Sequence, residues 1–102
     1  MLVNVDPAIL AAAATSESGG AATLAAAAAT TAATTSAVIP PGADDVSVRA
    51  AAALIGRSTA TTGILAEYIA MRELFAGAIG TSGATYTAVE TINTAAATIG
   101  GA

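Results

Sequence analysis

The side chains here that could do chemistry are few, and most carry one sign of charge. Seven carboxylates (Asp6, Glu17, Asp44, Asp45, Glu67, Glu73 and Glu90) stand against three arginines (Arg49, Arg57 and Arg72), with no histidine, lysine, cysteine or tryptophan. Nucleophilic or acid–base catalysis needs a hydroxyl or thiol beside a base, and these serines and threonines have neither histidine nor lysine to activate them. The acids form no working pair: Glu67 and Glu73 fall six residues apart on different faces of one expected helix, and Asp44-Asp45 is explained as a helix start. The glycine pairs fit no phosphate loop, because no strand precedes them and no lysine follows. The expectation is a protein without catalysis, metal or cofactor.

Two features remain. In Gly83-Ala-Thr-Tyr-Thr-Ala-Val-Glu-Thr-Ile-Asn93, a tyrosine, Tyr86, precedes an acid, Glu90, by four residues. On a helix these side chains are neighbours, and the spacing by itself reads as packing, with the ring on an adjacent residue and the carboxylate in water. Fifteen threonines admit a second idea: Thr23 with Thr34, or Thr87 with Thr98, lie eleven residues apart and would align a flat hydroxyl row of the ice-binding kind.

The elements that must position these residues follow from composition. Alanine supplies 31 of 102 residues, and its single methyl contributes only about 0.8 kcal/mol when buried, against roughly 1.5–3 kcal/mol for Leu or Ile. With six Leu, eight Ile, six Val and one Phe, a compact monomer is marginal, which points to a partner that supplies apolar surface. A net charge of −4 without a basic stripe argues against nucleic acid and against an anionic membrane surface. Cysteine is absent, so no disulfide or thiolate site exists. Met1-Leu-Val-Asn-Val-Asp-Pro7 has no positive region ahead of an apolar run, so no cleavable Sec signal peptide is expected, and no segment is Leu/Ile-rich enough to span a membrane.

Asp6-Pro7 is a helix start, an N-cap acid ahead of a proline at the first helical position. A long helix is expected from Pro7 to about Ala37, continuous or bent at Gly19-Gly20; Val38-Ile-Pro-Pro-Gly42 stops it. Asp44-Asp45 starts a second helix, expected to run to about Ile79, and the two make an antiparallel hairpin. Gly80-Thr-Ser-Gly83 is expected to end it, leaving Ala84 to about Thr98 as a short frayed segment. At about 100° per residue, Ile64, Leu65, Tyr68, Met71, Phe75 and Ile79 share one broad stripe of the second helix. Ala66, Ala70 and Gly77 lie roughly opposite and are expected to face the first helix, leaving the large-residue stripe as an interface.

In order and spacing, these landmarks resemble the mycobacterial PE family, the small Ala-rich partners of PPE proteins in type VII secretion. The resemblance covers nearly the whole chain: Pro7 leading into Leu10-Ala-Ala-Ala-Ala14, a glycine pair in the first helix, the proline turn into Ala43-Asp-Asp-Val-Ser47, Arg72-Glu-Leu-Phe75 beside the family's His-Glu-Met-Phe, Ser82-Gly83, and Tyr86-Thr-Ala-Val-Glu90 beside its Tyr-x-x-x-Asp/Glu secretion motif. One departure stands out. The Pro-Glu pair that names the family reads Pro7-Ala8 here, and Asp6 is expected to supply the charge at the helix start.

The resemblance implies a division into a hairpin, residues 1–80, and a C-terminal segment, 81–102, whose Tyr86 and Glu90 are an export address. It implies that Leu54, Ile64, Leu65, Tyr68, Met71, Phe75 and Ile79 bury against a PPE protein, two hairpins completing a four-helix bundle. It also implies export by a type VII (ESX) system from the cytoplasm to the cell surface or medium, with a cytosolic chaperone engaged only through the PPE subunit. A self-assembling Ala-rich structural or surface protein is the alternative.

Overall fold

The computed structural model describes residues 4–101. It is an all-α hairpin of two helices, α1 (Pro7–Thr35) and α2 (Asp45–Gly100), with no strand among the described residues. Both helices begin where the local chemistry places them. Asp6 caps α1: its Oδ1 accepts hydrogen bonds from the backbone N–H groups of Ala8 and Ile9 at 2.8 and 3.3 Å. Asp44 caps α2, accepting the Ser47 backbone N–H at 2.8 Å and the Ser47 hydroxyl at 2.7 Å. Those two bonds, the backbone one foremost, hold the Asp44 carboxyl below its usual range. Between the helices Val38 to Pro40 is irregular, as the double proline requires.

Of the two forms expected for α1 the continuous one is found, passing through Gly19-Gly20 and ending at Thr35. One expectation needs correction: α2 does not end near Ile79 but runs through Gly80 and Gly83 to Gly100. The reason lies in what those glycines touch. A Cβ at Gly83 would meet Leu10 Cβ at 3.4 Å and the Pro7 carbonyl oxygen at 3.6 Å, and one at Gly80 would lie 3.9 Å from Ala14 Cβ. These are places where α1 approaches the α2 backbone closely, and contact of this kind offsets the ~1 kcal/mol that a helical glycine costs relative to alanine.

The chain forms two compact units, Gly20–Met71 and the pair of segments Met1–Gly19 and Arg72–Ala102. In Gly20–Met71, burial recurs at steps of three and four residues: Ala21, Leu24, Ala28, Ala32 and Thr35 on α1, and Ala51, Ile55, Ser58, Thr62, Leu65 and Ile69 on α2. That spacing is the seam of two near-antiparallel helices. The Ser58 hydroxyl donates across it to Thr35 Oγ1. In the other unit the seam holds Leu10, Ala14 and Glu17 against Arg72, Ala76, Ile79, Gly80 and Gly83. The only buried apolar residues among those described are Ala21, Ala51 and Ala76. A seam of methyl groups brings the helices close but gives little hydrophobic driving force.

Candidate functional site

The α2 seam is not the small-residue side. Ala66, Ala70 and Gly77 are exposed, and the residues that turn inward are Leu65, Ile69, Arg72, Ala76 and Ile79. At about 100° per residue this seam lies roughly a quarter-turn from Ile64, so the broad apolar stripe divides in two. Leu65 and Ile79, expected at the partner interface, are half-buried in the seam; branched aliphatic side chains there remove more apolar area from water than the Ala/Gly side would. Leu54, Ile64, Tyr68 and Met71 of the first unit stay exposed, Met71 at 66%, and in the second unit Phe75 is 57% exposed. Sequence reasoning missed Leu74, three-quarters exposed beside Phe75. Its position three residues after Met71 was the available clue.

The unit Met1–Gly19/Arg72–Ala102 also contains a polar clasp that sequence reasoning did not anticipate. Arg72 Nε donates to Glu17 Oε1 at 2.6 Å, and the Ser18 hydroxyl donates to the Glu73 carboxylate at 3.0 Å. The Arg72 hydrogen bond, aided by its charge, holds the Glu17 carboxyl below its ordinary value. No pattern within either helix alone reveals the clasp, because the partners are 55 residues apart.

Tyr86 and Glu90 sit one turn apart on the continuous part of α2 that follows Gly83, not in a frayed tail. Tyr86 is 43% exposed, and Glu90 is exposed with its carboxylate in no hydrogen bond or ion pair among the described residues. Asn4 and Val5 line an open cleft together with Tyr86, Val89 and Glu90. Beyond them Val89, Ile92 and Ile99 are all exposed. The threonine hydroxyls have a local use: Thr34, Thr87 and Thr98 donate to the carbonyl four residues back, so each spends its one proton on its own helix.

No group of three or more possible metal-ligating side chains occurs among the described residues, and no helix among them is long and apolar enough to cross a membrane. What the fold offers is surface, an exposed apolar set on α2 and a tyrosine–acid pair beside the start of α1. The PE family model matches residues 3–93, and the chain belongs to the PE family. No curated protein and no solved structure gives a significant match to it.

Proposed function

We propose that this chain is a non-enzymatic PE subunit that pairs with a PPE protein and leaves the cell with it through a type VII (ESX) secretion system. The observation that carries this reading is the mismatch between core and surface: among the described residues the only buried apolar side chains are those of three alanines, while Leu54, Ile64, Tyr68, Met71 and Phe75 are exposed. Large apolar side chains on a protein with so little core mark an association surface. The partner that family membership suggests is a PPE helical hairpin, giving a four-helix bundle in which these residues are covered. Leu65 and Ile79 would then support the interface from the seam. Residues 81–102 act as the address-bearing end, with Tyr86 and Glu90 read by the secretion machinery, and the cytosolic chaperone engages the complex through the PPE subunit. The product is located at the cell surface or in the medium after synthesis in the cytoplasm.

Production alone and with a PPE protein encoded next to it tests the pairing, read by native mass and thermal melting. Alone, the chain should aggregate or melt without cooperativity; together they should give a soluble 1:1 complex. A sharp, concentration-independent transition of a monomer would overturn the proposal, and a homo-oligomer indifferent to the PPE protein would favour self-assembly.

A further inference from the structure

Just before α1, the chain lays Asn4 and Val5 alongside the turn of α2 that carries Tyr86, Val89 and Glu90. Two local devices fix that position. Gly83 is buried against Leu10 and the Pro7 carbonyl, so the missing side chain lets the start of α1 rest on α2 one turn ahead of Tyr86. Asp6 meanwhile ties the entering chain to the first α1 turn through the Ala8 and Ile9 N–H groups. Asn4 and Val5 are therefore held between a cap and a close helix contact. The cleft they share with α2 is chemically mixed. Val5, Val89 and the Tyr86 ring are apolar, and the Glu90 carboxylate at its edge has no partner among the described residues.

A tyrosine and an acid one helical turn apart recur by chance in many helices, so the pair alone discriminates poorly. A second segment fixed beside it adds shape and charge that a random helix lacks. Resting on the reading of Tyr86 and Glu90 as the export address, we infer that the address is composite. Asn4 and Val5 are read together with Tyr86 and Glu90 by a receptor segment that sets an apolar side chain against Val5 and Tyr86 and a basic one against Glu90. The basic character follows from the exposed Glu90 carboxylate, which has no partner among the described residues, and from a chain whose net charge is −4.

The test measures export of the full chain from its own host into the medium, with melting of the purified complex as control. Asn4 is exposed, so its substitution should leave the melting temperature within about 2 °C of wild type. Asn4→Arg puts a cation where the receptor's is required and should lower export about tenfold or more, while Asn4→Glu should leave it unchanged or raise it. Val5→Ser should lower export severalfold. If Asn4→Arg is exported like wild type while Tyr86→Ala is blocked, the composite inference falls and the address reading stands. Normal export of Tyr86→Ala sinks the address reading itself, whatever Asn4 does. Loss of export by Asn4→Arg and Asn4→Glu alike, in step with lowered melting, assigns the effect to local folding and also overturns the inference.

Discussion

The two compact units hold their helices together by different means. In Gly20–Met71 the seam is built from alanines, a few aliphatic residues and one Ser58–Thr35 hydroxyl pair, and large apolar side chains, Leu54, Ile64, Tyr68 and Met71 among them, remain outside it. In the unit of Met1–Gly19 and Arg72–Ala102, charge and backbone contact join the aliphatic Leu10 and Ile79: Glu17 meets Arg72, Ser18 meets Glu73, and glycines meet Leu10 and Ala14. Methyl groups set only distance and tolerate sliding, whereas a guanidinium bonded to a carboxylate favours one register. The seam of the first unit thus sets a distance between its helices, and that of the second also sets their register.

The largest effect should come from placing charge on the proposed partner surface. Tyr68→Asp or Met71→Asp should abolish the complex in pull-downs, costing more than about 3 kcal/mol, because an unpaired carboxylate is buried where apolar contact is lost. Leu65→Asp should behave differently, lowering helical content of the chain by itself as well, since Leu65 lies in the seam. If circular dichroism shows Tyr68→Asp and Leu65→Asp equally unfolded alone, the distinction between surface and seam is wrong.

Next comes the proposed export address. Tyr86→Ala and Glu90→Ala should each accumulate in cells while complex yield and melting stay near wild type, and Glu90→Asp should still be exported. Dissociation of the complex by Tyr86→Ala would make the pair ordinary packing.

Gly83 sharpens the contrast further. Gly83→Leu should destabilise the complex by about 1–3 kcal/mol through overpacking against Leu10, whereas Gly83→Ala, at ordinary contact distance, should be nearly neutral. Gly63 in the other unit faces open space, so Gly63→Ala should raise the helicity of the chain alone by about 1 kcal/mol of propensity. Similar responses at 83 and 63 to a large side chain would remove the close-contact argument.

The smallest expected effect is that of the clasp. Glu17 has its pKa lowered in the fold, so its contribution is present above the ordinary carboxylate value of 4.5 and is lost as pH falls through the lower folded value. Melting measured downward from pH 4.5 should fall less steeply for Glu17→Gln than for wild type. Asp44 adds a similar loss below its ordinary 3.8, and Glu17→Gln should leave that part unchanged.

Much of this protein was legible residue by residue. Asp6-Pro7 and Asp44-Asp45 define helix starts because capping is a local exchange of hydrogen bonds, and Pro40-Pro41 separates the helices because proline excludes its neighbour from the α region. The order of motifs around Pro7, Phe75 and Tyr86 was enough to indicate the family, which the match over residues 3–93 bears out. What the sequence left undecided depends on the other helix. A glycine pattern such as Gly80 and Gly83 reads equally as a break or as a close contact, and only the presence of Leu10, Pro7 and Ala14 against it selects the latter. Likewise an Ala-rich helix has no single obvious inner face. The position of the seam, with Leu65 and Ile79 inside it and Ala66 outside, was decided by pairing across 55 residues at Arg72 and by the aliphatic area the two helices could bury together.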